Sequence, residues 1–432
     1  MINQLYLTPT PGAFPIICWG GFNIGKEKNL LDGTEAEKRQ YEGFVKQEIK
    51  NMVDAKFNAV ATTAWWDTYQ PKQQFIADSG LKVIGSPAQY DGKVYPADKM
   101  YSFIKDFVNH CNIDQITAWL LGDEPEYDDL TDWRDSYIKS IEAWGQFKNI
   151  MTYVNLNVDP KEYNIGDFSD YGEYLDYLEQ QFKFPVWCYD QYPLREDNGT
   201  FHVQSNFYPY LELFSKKAKK TQRPFWAFAQ CQQLLNEDGS PKTALPNFER
   251  MRYAVFSALA YGAQGINYWS FQRNENSDKD HHGEAPIDVN QKRTSIWYDV
   301  RDVNNLILAY QEVFLGASLV MARHTGEKKP GDEVTYYDPF IDKLGPLTNL
   351  RTTSIGVLVT HLTNKENNYL VVVSHSPWAS QDITLYFNSA MKVVELGASG
   401  NNVVVSPGTS TKPTSLMVKR TLEAGGFRIY RW

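Results

Sequence analysis

No stretch of the chain approaches the ~18 consecutive apolar residues of a membrane-spanning helix, and the mean hydropathy is −0.48. A membrane partner is therefore not expected. Basic residues are the minority, 43 Lys and Arg against 52 Asp and Glu, for a net charge of −9. Nucleic acid would call for a basic stripe to neutralise its phosphates, so it is not expected as a partner either. Only four cysteines occur in 432 residues. Cys18, Cys111, Cys188 and Cys231 lack the close pairing of a metal site, and three of them sit in apolar runs. They read as small buried hydrophobes. The first apolar run, Phe14–Trp19, is not followed by a GxGxxG turn, so the strongest marker of a dinucleotide fold is missing and no cofactor is expected. Met1–Thr10 has neither a basic start nor an apolar run, so no signal peptide is read there. A chain relieved of its signal would be secreted or periplasmic. Nothing in the sequence demands an obligate protein partner.

Aromatic residues are abundant. They make up 14% of the chain, with 12 Trp, 27 Tyr and 23 Phe. Flat rings offer surfaces for stacking on sugar rings, so composition raises carbohydrate as a substrate class, against the plainer reading of an aromatic core.

The first three-quarters of the chain alternates between short apolar runs and longer amphipathic stretches. Apolar runs fall at Phe14–Trp19, Asn58–Thr63, Lys82–Ile84, Ile116–Leu121, Ile150–Leu156, Pro185–Tyr189, Pro224–Ala229 and Gly265–Phe271. Helical patterns follow each, the first capped by Thr34 and the last reaching Leu315. About eight strand–helix units at this length predict a closed (β/α)8 barrel of the TIM type over residues 1–318. After Leu319 the runs become short, β-branched and punctuated by Gly, Pro, Asn and Ser, which predicts an antiparallel β-sandwich over residues 319–432.

Barrels of this kind place their chemistry at the carboxyl ends of the strands. The fourth run ends Ala118-Trp119-Leu120-Leu121-Gly122-Asp123-Glu124-Pro125. Simple alternation puts Glu124 on one face with Ala118 and Gly122, inside the barrel. A carboxylate held there, half out of water, would have the raised pKa that a general acid needs. The competing reading is an acidic helix start, which Asp128 and Asp129 could supply instead.

At these residues the chain resembles the clan of retaining glycoside hydrolases built on (β/α) barrels, including beta-galactosidase-like and cellulase-like families. Those families end their fourth strand with a polar residue, then Glu, then Pro, matched here by Asp123-Glu124-Pro125. The resemblance implies a glycosidase acting on carbohydrate, with Glu124 as general acid/base and Asp123 beside it. The trailing sandwich fits too. The seventh run departs from the pattern. It ends Ala229-Gln230-Cys231-Gln232-Gln233, with no carboxylate before Glu237, where the clan has its nucleophilic Glu. Gln230 and Gln232 can hydrogen-bond sugar hydroxyls but cannot form a glycosyl ester.

Asp190, in Trp187-Cys188-Tyr189-Asp190-Gln191-Tyr192-Pro193, ends the sixth run much as Glu124 ends the fourth. It is the expected second catalytic residue: nucleophile, base for an inverting mechanism, or a group orienting an N-acetyl substituent. The last option is supported by the Asp-Glu pair, which also occurs in hexosaminidase-like barrels. The alternative is an Asp satisfied by turn hydrogen bonds, with Glu275 as a weaker substitute. Two strands between Asp190 and Glu124 suggest a gap wide enough for inversion or substrate assistance. Trp19, Trp65, Trp66, Tyr90, Tyr192 and Trp269 stand at or just past strand ends as candidate sugar platforms. Tyr268-Trp269 resembles the position where these families floor the subsite with Trp. His281-His282 with Glu284 is not read as a metal site, because adjacent histidines point apart on most backbones. The rival to a glycosidase is a non-catalytic carbohydrate-binding barrel, motivated by the missing seventh-strand carboxylate.

Overall fold

Strands β1 (Ile16–Trp19), β2 (Ala59–Thr62), β3 (Lys82–Gly85), β4 (Ile116–Asp123), β5 (Met151–Asn157) and β6 (Trp187–Asp190) are apolar on both faces, as strands buried between a barrel core and a helical layer must be. A computed structural model describes residues 12–19, 33–62, 70–85, 96–110, 113–158, 165–197, 199–273, 282–326, 344–410 and 414–432. After β6 a hairpin intervenes, β7 (Leu194–Asp197) and β8 (Thr200–Val203), and then β9 (Phe225–Gln230) and β10 (Ile266–Trp269) complete the set. The eight longer-range partners close in the order β1-β10-β9-β6-β5-β4-β3-β2, all parallel. This is the predicted barrel.

The connecting helices are α1 (Glu35–Asp54), α2 (Gln70–Ser79), α3 (Met100–His110), α4 (Leu130–Trp144), α5 (Tyr171–Gln181), α6 (Phe207–Thr221), α7 (Phe248–Ala260) and α8 (Ser295–Ala309). Thr34 caps α1 as expected. Its side chain accepts from the Glu37 amide, and Glu37 reaches back to the Thr34 amide at 2.6 Å. Inside the barrel, alternate residues interlock: Ile17, Ala59, Ala61, Ile84, Ala118, Leu120, Met151, Tyr153, Val186, Cys188, Trp226 and Phe228. The barrel is a packed core closed below its carboxyl end.

After the short α9 (Gln311–Phe314) come β11 (Ser318–His324), β12 (Leu347–Arg351), β13 (Val357–Asn364), β14 (Asn367–Ser374), β15 (Gln381–Asn388), β16 (Lys392–Glu395), β17 (Val403–Pro407), β18 (Ser415–Leu422) and β19 (Phe427–Arg431). They form a six-stranded sheet, β11-β13-β14-β19-β16-β17, and a three-stranded one, β12-β15-β18. Inward residues of both sheets share one core that includes Leu350, Val359, Leu370, Val372, Leu385, Phe387 and Tyr430. β11 and β12 were not read from the sequence. β11 is largely exposed, and only four residues of β12 precede its last, Arg351, so neither carries a strong alternating pattern.

By contacts the chain forms two units that interleave in sequence. The first holds residues 1–192, 223–245 and 265–304, and contains every barrel strand. The second holds 193–222, 246–264 and 305–432. It contains both terminal sheets, the β7–β8 hairpin, and also α6 and α7. Within it Arg252 of α7 donates to the carbonyls of Ala424 and Gly425 at 2.6 and 3.1 Å, and Phe256 stacks on Phe427 at 3.8 Å. Gly425 has φ +61°, and a Cβ there would meet the Glu249 carbonyl oxygen at 2.0 Å. Only glycine suits that close approach.

Candidate active site

The end of β4 does not follow simple alternation. Leu120 pairs with Tyr153, but the next pairs are Gly122 with Val154 and Asp123 with Asn155, so Leu121 is an extra residue in a bulge. The bulge reverses the faces beyond it. Gly122 turns outward, where a Cβ would lie 1.6 Å from the Trp133 ring of α4. Asp123 turns inward instead, level with Asn155. The expected grouping of Ala118, Gly122 and Glu124 on one face is therefore corrected. Glu124 reaches the barrel mouth by another route, a left-handed backbone with φ +48°. That conformation is uncommon for a residue with a Cβ and is typical of functional positions.

Two asparagines of β5 receive the carboxylates. Asn155 Nδ2 donates to Asp123 Oδ1 at 2.8 Å, and Asn157 Nδ2 donates to Glu124 Oε1 at 2.6 Å. The Glu124 amide is held by the Asn155 carbonyl at 2.9 Å. Both asparagines were missed in the sequence. The available signal was their period of two on the inward face of Met151-Thr152-Tyr153-Val154-Asn155-Leu156-Asn157.

Asp190 of β6 is level with Asn157 and only 7% exposed. Its carboxyl lies beside Glu124 and the Tyr192 side chain, both of which act on its ionisation. Burial, then the neighbouring Glu124 and Asp123 charges, push Asp190 well above the usual carboxylate range. Burial beside two other carboxyls favours the protonated form of Asp190. Asp123 is pushed up to about 7 by burial and then by the Glu124 charge, against the lowering effect of Asn155.

Tyr192 also leans on Trp269, ring centroids 5.3 Å apart, and His282 meets the Trp269 ring edge-on at 5.2 Å. Trp19 packs on Phe228 at 5.1 Å and borders the same inner cluster. Tyr268 does not join them. As the neighbour of inward Trp269 it faces the other way, fully buried with its ring against Phe57 at 5.5 Å. Gln230 is inward but its amide is engaged by the Gln232 carbonyl and Thr243 at 2.7 and 2.5 Å. Gln232 is completely buried beside the Gly283 carbonyl, which removes it from a sugar's reach. Glu237 is exposed. Trp65, Trp66, Tyr90, Glu275 and His281 lie outside the described residues. Among the described residues no group of three or more His, Cys, Asp or Glu side chains has the arrangement of a metal site, and no helix is long and apolar enough to cross a membrane.

Residues 150–309 match the glycoside hydrolase family 42 model, described as beta-galactosidase. The matched stretch contains Asp190 and not Glu124. Among solved structures the chain is similar to Gan42B, a GH42 beta-galactosidase from G. stearothermophilus, at 10% identity and a TM-score of 0.58, covering 97% of this chain and 98% of that one. It is also similar to a beta-galactosidase from Bacillus circulans sp. alkalophilus, at 8% identity and a TM-score of 0.54, covering 97% and 99%. A third, described as a glycoside hydrolase, has 9% identity and a TM-score of 0.55, covering 98% and 92%. No curated protein matches the chain in sequence. At these identities the likeness is one of fold: a closed (β/α)8 barrel followed by a β domain.

Proposed function

We propose that this glycoside-hydrolase-type barrel cleaves an O-glycosidic bond of an oligo- or polysaccharide, with Glu124 as general acid/base and Asp190 as its partner. One observation supports this above the others: Asp123, Glu124 and Asp190, from two strands, converge at the carboxyl end of a closed barrel. Like charges so close cannot all ionise, so the cluster retains a proton at neutral pH. That is the state a general acid requires. Asp190 passes its proton to Glu124, and Glu124 delivers it to the leaving oxygen, leaving Asp190 as the carboxylate. Tyr192 and Trp269 provide the apolar ring surface that a pyranose needs beside them. In this reading catalysis belongs to residues 1–318, and residues 319–432 are accessory.

A second reading has one specific observation in its favour. The seventh barrel strand, β9, ends in Gln230 with no carboxylate inside the barrel, as a carbohydrate-binding barrel without a nucleophile would. Assaying the purified chain on a panel of aryl glycosides and oligosaccharides separates the two. Oligosaccharide hydrolysis that disappears in both Glu124→Gln and Asp190→Asn supports the glycosidase. Sugar binding by the wild-type chain without turnover supports the binding protein.

A further inference from the structure

Beneath the carboxylates, the barrel interior holds a line of polar groups that the reaction itself does not need. Cys188 of β6 is completely buried, and its thiol donates to Asn155 Oδ1 at 3.4 Å. Asn267 of β10, also completely buried, donates from Nδ2 to the Cys188 sulfur at 3.8 Å. Asn155 in turn donates to Asp123. The line crosses the barrel from the eighth strand to the fourth. The Asp123 end sets its direction. A carboxylate accepts only, so Asn155 must turn its NH2 towards Asp123, and its oxygen then needs a donor on the opposite side. The Cys188 thiol is that donor.

We propose that Cys188 and Asn155 are positioning residues, the thiol locking the Asn155 amide so that its NH2 stays on the Asp123 carboxylate. The inference rests on the carboxylate cluster being the active site. A cysteine suits the position because burial, followed by the Asp190 and Asp123 charges, raises its pKa well above the ordinary range. It stays a neutral thiol and remains a donor across the working pH range. Burial and the Glu124 charge drive Asp123 towards protonation, and Asn155 is what opposes them. Loosening the amide therefore raises the pH at which Asp123 ionises.

The test follows the Asp123 carboxyl directly by carbon NMR titration of the full chain, its signal identified by its loss in Asp123→Asn. Cys188→Ala is expected to raise the midpoint by about half a pH unit or more, a small part of a hydrogen bond to a charged group. Cys188→Ser, which restores a donor, is expected to return it to the wild-type value. Should the alanine cavity unfold the barrel, Cys188→Val fills the volume without a donor and serves in its place. An unchanged midpoint without the donor, or an equal rise in the serine variant, overturns the proposal. In an active enzyme the pH profile of kcat/KM shifts with the midpoint while substrate KM holds. The titration is independent of turnover, so a chain without glycosidase activity sinks the catalytic reading and leaves the positioning of Asp123 separately decided.

Discussion

If Glu124 is the acid and Asp190 its partner, replacing each should produce a different deficit. Glu124→Gln removes the group that protonates the leaving oxygen. Its kcat/KM should fall roughly 10²–10⁴-fold on alkyl glycosides, the usual worth of a general acid. The fall should be much smaller on nitrophenyl glycosides, whose leaving group needs no proton. Asp190→Asn should depress all substrates alike, and near-wild-type rates on every one would exclude the pairing. The raised pKa values also bear on stability. Asp123 and Asp190 bind protons more tightly in the folded chain than in the unfolded one. Their contribution to stability is therefore greatest below the ordinary carboxylate pKa and is lost as pH rises, for Asp123 through about 7. Melting temperatures should fall between pH 4 and pH 7, and the slope should flatten in Asp123→Asn, which should melt higher than wild type at pH 8. An equal slope in both would show that Asp123 is not so perturbed. Glu124 and Asp190 were legible in the sequence because each ends an apolar run. Asn155, Asn157 and Cys188 were not. Asparagine and cysteine inside a strand look like chance or packing until the neighbouring strands show what they face.

The bulge at Leu121 is the element-scale feature on which the site depends. Strand periodicity alone put Glu124 inside, and the structure reaches that result by a different path, since one extra residue and a left-handed turn both intervene. Sequence could not reveal this. A bulge in a uniformly apolar strand leaves no break in the pattern, because both faces are apolar. Gly122 is the residue that permits it. Gly122→Ala places a methyl against the Trp133 ring and should cost about 1–3 kcal/mol through overpacking. Because the end of β4 must move to relieve it, activity should drop as well. Thermal unfolding with a parallel assay checks both effects, and adding Trp133→Leu should recover part of each. A Gly122→Ala chain with unaltered melting and turnover would mean the helix layer does not fix this turn.

At the scale of the whole molecule, the sequence divides near Ser318 where helical periodicity stops, yet contacts group α6 and α7 with the sheets that follow. Local pattern cannot report that, because it records which element forms and not which neighbour it meets. A chain ending at Ser318 lacks β12–β19 and all of β11 but its first residue, leaving Arg252 without its carbonyl partners and Phe256 without Phe427. It should be insoluble or melt without cooperativity, as seen by expression and circular dichroism, whereas a soluble 1–318 fragment with a sharp transition would contradict the grouping. The Arg252–Gly425 hydrogen bond spans 173 residues, which matters while the protein is being made. At about 5–20 residues per second, a ribosome exposes α7 for roughly ten seconds or more before β19 is synthesised. During that interval the Phe256 face is uncovered, and it closes only once Phe427 has emerged. Early release of the nascent chain, or a stop codon before Phe427, would thus strand a helix completed long before it.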